Sequence, residues 1–237
     1  MKQPNKQHRI FINTSININQ EICCPQETMH HIKKVLRVKK NEKIIIFNGN
    51  GEEFEGHLIN RKDEKIKITG LLKKANKTDK KIILAQCISS NKHMDFAIQK
   101  SVEIGIDIIV PVISIRSQPG NHLKKKEHWK KIIIHAIEQS HGLFIPELFE
   151  IIDFKKIISH EKFKNFHKIL FHQSGRRIIA GDSDSNHIIF LIGPEGGFDH
   201  TEIEDATKEN WNIISLGDRV LRTETAAIVA QTLLKDF

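Results

Sequence analysis

The chain has 237 residues, 39% hydrophobic and 28% charged, the balance of a globular protein with a substantial core, and its length suits one large domain or two modest ones. No run reaches the roughly 18 to 20 apolar residues of a membrane helix, and Met1-Lys2-Gln3-Pro4 leads into no secretory apolar stretch. Cys23 and Cys24 are adjacent and Cys87 is distant, which is neither an even disulfide framework nor a C-x-x-C pair. A reducing cytoplasm, with no membrane partner, is the expected setting.

The net charge of +8 is unevenly placed. Residues 1–81 hold 18 basic and 9 acidic side chains, a net +9, and the remainder hold 19 and 20, a net −1. A lysine-rich proteome would raise lysine evenly along the chain. The asymmetry instead suggests a small polyanion-binding module ahead of a larger neutral one.

In chain order, Arg9 to Ile12 reads as a strand, and Met29, Ile32, Val35 and Leu36 fall at helical spacing within Pro25 to Val38. Lys43 to Phe47 is a strand running into the turn signal Asn48-Gly49-Asn50-Gly51, and Ile66 and Ile68 alternate with lysines. Residues 1–73 are thus a mostly β domain, and 74–81 a polar linker. Across 82–237 strands alternate with helices. Strands are expected at Ile82–Ile88, Ile108–Ile113, Lys168–His172, His187–Ile192 and Asn212–Leu216. The helices run through Met94–Val102, which Gly105 can end, through Trp129–Ile137, and near 200–209 and 223–235. This alternation, with continuously apolar strands, predicts an α/β domain with a parallel sheet covered on both faces, and ligands bind such sheets beyond the carboxyl ends of the strands.

Two strand ends carry unusual loops, Gly193-Pro194-Glu195-Gly196-Gly197-Phe198 and Gly217-Asp218-Arg219-Val220-Leu221-Arg222-Thr223-Glu224-Thr225-Ala226. Neither matches the dinucleotide or triphosphate fingerprint. Either alone could be a tight turn before a helix. Asp199 with Glu202 three residues later has the spacing of a capping box.

In this order the two loops, preceded by Ile192 and Leu216, resemble the RsmE family of 16S rRNA uridine N3 methyltransferases in the SPOUT superfamily. His30-His31, Val35-Leu36-Arg37, Phe47-Asn48-Gly49, Ile98-Gln99-Lys100, Glu103-Ile104-Gly105 and Ala136 to Ser140 also match, so the resemblance covers nearly the whole chain. It departs at Ile115, where the family tends to have Glu, and at His141-Gly142, where it tends to have Gly-Arg. The resemblance implies a PUA-like RNA-binding domain followed by a SPOUT domain with a trefoil knot near its C-terminus. It further implies an S-adenosylmethionine cofactor, a homodimer, and a uridine substrate in 16S rRNA or the small ribosomal subunit.

Methylating N3 of uridine removes an imide proton and spreads negative charge over the ring oxygens, so a fixed cation aimed there would lower the barrier. Arg222, permanently charged and planar, is the candidate, with a phosphate contact or an ion pair to Glu224 as its alternatives. Glu224 is a candidate base, and Glu195 is expected to shape the cofactor site. Ile192, Gly193, Glu195, Gly196, Gly197, Leu216, Gly217, Val220 and Leu221 are expected around the cofactor, and Arg9, Arg37 and Arg116 on the RNA. The Lys33-Lys34, Lys39-Lys40 and Lys124-Lys125-Lys126 runs could be RNA contacts or plain solvated surface. The scattered histidines and adjacent cysteines lack zinc spacing, and no metal is expected. A non-catalytic RNA-binding protein is opposed by the retained glycine loops. A hydrolase on Ser140-His141 or Ser174 lacks the G-x-S-x-G elbow.

Overall fold

Buried central residues anchor the first strands, His8–Phe11 (β1) and Glu21–Cys23 (β2), in the computed structural model, which describes residues 8–39, 41–60, 65–118 and 122–235. A short helix, Gln26–His30 (α1), continues into a π-helical turn over His31–Val35. There Val38 N–H reaches back to the Ile32 carbonyl, and Arg37 takes φ 57°. A left-handed non-glycine residue costs about 1–3 kcal/mol. It ends the helix predicted through Val38 at Val35. Lys43–Phe47 (β3), Glu52–Asn60 (β4) and Lys65–Lys74 (β5) complete a five-stranded sheet ordered β1-β3-β4-β5-β2. All pairs are antiparallel except β1 with β3. Ile10, Met29, Ile32, Ile44, Ile46, Leu58, Ile66 and Ile68 fill its core.

The described residues form two compact units, and residues 137–145 group with the first, beside residues up to 77. No linear division of the chain anticipates that return. Gly51 N–H donates to the Leu143 carbonyl and Ile145 N–H to the Gly49 carbonyl, so the β3–β4 turn pairs with a distant segment.

The second unit alternates as its sequence does. Lys81–Cys87 (β6), Asn91–Ile104 (α2), Ile108–Ile113 (β7) and His122–Ser140 (α3) lead to two short strands, Glu147–Leu148 (β8) and Ile152–Asp153 (β9). Phe154–Ile158 (α4), His167–Arg177 (β10), His187–Ile192 (β11), His200–Lys208 (α5), Asn212–Ser215 (β12) and Thr223–Leu234 (α6) follow. Gly105 caps α2 at φ 88°. The sheet is parallel throughout, ordered β12-β10-β11-β6-β7-β8 with β9 also on β7. Consecutive residues of β6, β7 and β11 are buried, so both faces are covered. Strands β8 and β9 and helix α4 were not foreseen, because two-residue strands and a five-residue helix are too short to show a period.

Strand β10 is longer than its apolar run predicts. Phe171 and Arg176 both register with Ile214 of β12, so residues 172–175 loop out between two pairings with one strand. A Cβ on Gly175 would lie 2.5 Å from the backbone of Ile213 and Ile214, so only glycine lets the strand rejoin its partner. The bulge places His172 and Gln173 beyond the end of the apolar strand.

Candidate functional site

Four neighbouring strands, β12, β10, β11 and β6, end on the same edge of the parallel sheet. Beyond those ends a cavity of about 550 Å³ is walled by Phe171 to Gln173, Ile192 to Phe198, residues 215–217 and 219–224, and by His93, Arg116 and Ala226. That volume lies within the usual range for small-molecule sites, and the place is where parallel sheets bind ligands. Every residue predicted at the cofactor lines it: Ile192, Gly193, Glu195, Gly196, Gly197, Leu216, Gly217, Val220 and Leu221.

The cavity's frame is made of buried hydrogen bonds. Gln86, fully buried in β6, donates from Nε2 to Thr223 Oγ1 at 2.9 Å, and that hydroxyl donates to the Gly193 carbonyl at 2.6 Å. One chain of contacts therefore links β6, the start of α6 and the loop after β11. Gly217 takes φ 125°, a conformation that side chains resist, and a Cβ there would project into open space. The Ser215 hydroxyl fixes this turn by donating to the Gly217 carbonyl at 3.0 Å. Asp199 and Glu202 form the expected capping box of α5, and Glu202 also accepts from Ile115 N–H at 2.9 Å.

Arg116, expected on the RNA side, has its side chain 47% exposed and also holds the glycine loop. Its guanidinium donates to the Gly196 carbonyl at 2.9 Å and to Asp199 at 3.0 Å, so the fork braces the glycine loop. Arg9 is a correction. Its side chain is 3% exposed, ion-paired to Glu53 at 2.8 Å, and donates to the carbonyls of Ile137 and Gly142. No phosphate can reach a guanidinium so enclosed. Arg37 does stand exposed, at its left-handed turn. Lys40, read in sequence as a pair with Lys39, lies outside the described residues.

Glu195 and Glu224 have different surroundings. Burial pushes the Glu195 carboxyl upward, but hydrogen bonds from Ser90 N–H at 2.8 Å and from His93 at 3.0 Å prevail and hold it near 2. A carboxylate held so low is a poor proton acceptor at neutral pH, and its hydrogen bonds tie the glycine loop to Ser90 and His93. Glu224 lies in the first turn of α6 with its side chain 12% exposed, and its buried Oε2 meets no hydrogen-bond partner among the described residues. Arg222 stands exposed at the N-cap of α6, on the cavity wall. Among the described residues it pairs with neither Glu224 nor any other side chain.

Sequence reasoning missed His93, His172, Gln173 and Arg219, all on the cavity wall. The position of His93 just past the carboxyl end of β6 was the available signal; His172 depends on the unforeseen bulge. Burial holds the His172 imidazole below its usual pKa. Among the described residues no group of three or more His, Cys, Asp or Glu side chains could hold a metal, and no helix is long and apolar enough to cross a membrane.

Comparison with known proteins agrees with this geometry. Residues 76–235 match the model of an RNA methyltransferase domain, and residues 25–69 that of an RNA methyltransferase PUA domain. The chain is 38% identical to ribosomal RNA small subunit methyltransferase E of Buchnera aphidicola subsp. Schizaphis graminum, over 96% of this chain and 95% of that one. It is 36% identical to the Mesomycoplasma hyopneumoniae protein of the same name, over 96% and 94%. Among solved structures, the enzyme of that name from Neisseria gonorrhoeae, bound to S-adenosyl methionine, superposes with TM-score 0.84 at 32% identity over 95% of each chain. A Legionella pneumophila protein in complex with the bound cofactor SAM gives 0.89 at 31% over 97% of each. Two matched domains in the expected order, and relatives aligned nearly end to end, lead to one conclusion: the chain belongs to the ribosomal RNA small subunit methyltransferase E family.

Proposed function

We propose that this chain transfers a methyl group from S-adenosylmethionine to N3 of one uridine of 16S rRNA in the small ribosomal subunit. The observation that carries the reading is the cavity beyond β12, β10, β11 and β6, where both glycine loops meet. The residues present suit the cofactor. Ile192, Leu216, Val220 and Leu221 offer apolar surface, while Gly193, Gly196, Gly197 and Gly217 leave main-chain groups approachable. When bound, the cofactor supplies an electrophilic sulfonium methyl.

The protein's own part is to orient the uridine and manage charge. Arg222, exposed on the cavity wall and free of competing partners among the described residues, holds the developing charge on the uracil oxygens. Glu224, whose Oε2 has no hydrogen-bond partner among the described residues, takes the N3 proton. Exposed Arg37, with other basic side chains of residues 1–81, meets rRNA phosphates. The reading includes the knot of the family's fold and a cytoplasmic setting. Mass spectrometry of 16S rRNA from cells lacking the protein should show one methylated uridine missing, restored by the wild-type gene. An unchanged methylation pattern would refute the assignment.

The reading also includes a homodimer. Leu233 is 47% exposed on α6, whose Ile228 and Val229 are only partly covered, more apolar surface than a solvent-facing helix needs. Light scattering at micromolar concentration should give twice the 27.3 kDa chain mass. A monomeric mass would remove this part of the reading.

A further inference from the structure

His93 occupies a position that the chemistry above leaves unexplained. It sits in the first turn of α2, its side chain 25% exposed, with a carboxylate toward each ring nitrogen. Nδ1 is 3.0 Å from Glu195 Oε1, in the glycine loop after β11, and Nε2 is 3.9 Å from Glu224 Oε1, in the first turn of α6. Those carboxylates belong to two separate walls of the cavity. The ring lines the cavity between them.

Nδ1 faces both Glu195 Oε1 and the Ser90 hydroxyl, each at 3.0 Å. Glu195 Oε1 is an ionised acceptor and the hydroxyl can accept as well, so the arrangement that suits both has Nδ1 carrying the hydrogen. In a neutral ring Nε2 would then present a lone pair to the Glu224 carboxylate. A protonated ring instead presents N–H to both carboxylates, and only that form attracts both walls.

We infer that His93 is a positioning residue for the methyl-transfer site, its imidazolium clasping Glu195 and Glu224 so that the two cavity walls are set for S-adenosylmethionine. The inference rests on the methyltransferase reading and adds to it the residue that couples the walls. The other charged groups nearby are accounted for. On the cavity wall, Arg116 is engaged by the Gly196 carbonyl and Asp199, and His172 Nδ1 lies 2.8 Å from the Ser174 hydroxyl. Arg219 and Arg222 line the same cavity from the loop after β12. On α2, Lys92 precedes the ring, and Asp95 is bound to His128 at 2.8 Å. Among the described residues, no other side chain pairs with both Glu195 and Glu224.

The test is calorimetric binding of S-adenosylmethionine to the full chain at pH 6 and pH 8.5, for wild type, His93→Gln and His93→Lys. At pH 6 the glutamine variant should bind on the order of fivefold more weakly than wild type, the scale of a partly exposed ion pair. Lysine, charged at both pH values, should restore binding. The ligand's own titration is common to all three proteins and cancels in these ratios. Thermal melts establish that each variant is folded; one that is not is replaced by His93→Asn or His93→Arg, on which the same ratios are read. The inference is overturned if the neutral variant binds like wild type at pH 6, or if the cationic one is as weak as the neutral one. Wild type binding no cofactor at either pH would be a different result, sinking the methyltransferase reading itself and this proposal with it.

Discussion

Replacing Arg222 by alanine should slow methyl transfer by on the order of 10² or more, the usual cost of removing one preorganised donor to developing charge. The fold should survive. Arg222 is exposed at the N-cap of α6 and makes no side-chain hydrogen bond among the described residues, so its loss leaves no buried group without a partner. Cofactor binding should change little, because the side chain's proposed task arises only as the uracil ring gains charge. Lysine should rescue poorly, since a point charge does not reproduce a planar fork that can hold two acceptors. The measurement is the single-turnover rate of labelled methyl transfer to small-subunit rRNA, beside a thermal melt. A near-normal rate in the alanine variant would show that Arg222 serves some other purpose.

Arg9→Ala should have its effect on stability. The Arg9 and Glu53 side chains are each 3% exposed and 2.8 Å apart, and the guanidinium also lies 3.6 Å from the centroid of the Phe47 ring. Removing the cation leaves a buried carboxylate with only Lys73, 4.0 Å away, and takes the donor from two carbonyls, a loss on the order of 3 kcal/mol. That is comparable to the whole stability of a small domain. The first unit should therefore unfold or melt at much lower temperature. Arg9→Lys should recover only part of the loss, because an ammonium cannot reach Glu53, Ile137 and Gly142 with the same fork. Circular dichroism melts of the two variants decide the matter. A variant that kept the wild-type melt and lost only RNA affinity would return Arg9 to the RNA surface.

These two arginines show where sequence reading reached and where it stopped. Both were singled out by charge and by place in a family pattern. For Arg222 the pattern was enough to place the side chain on the cavity wall, because the loop it belongs to follows directly from a strand end, and strand ends in a parallel sheet converge by rule. For Arg9 the pattern could not separate a phosphate contact from a structural fork. Its partners, Glu53, Ile137 and Gly142, are 44, 128 and 133 residues away.

By itself the sequence determined whatever is written in local periodicity and in loop chemistry. That includes the alternation of strands and helices after residue 81, the His187–Ile192 and Ile108–Ile113 strands at their observed limits, the Asp199–Glu202 cap, and the glycine loops that line the cavity. These features depend on neighbours within about ten residues, so the order of residues carries them. Only the tertiary structure decided the strand order, the return of residues 137–145 to the first unit, the bulge at 172–175 and the pairing of His93 with Glu195 and Glu224. Each joins segments far apart in the chain, and no residue type or spacing encodes which distant partner it will meet. Whether a charged side chain ends in water or in a buried pair is settled by that packing.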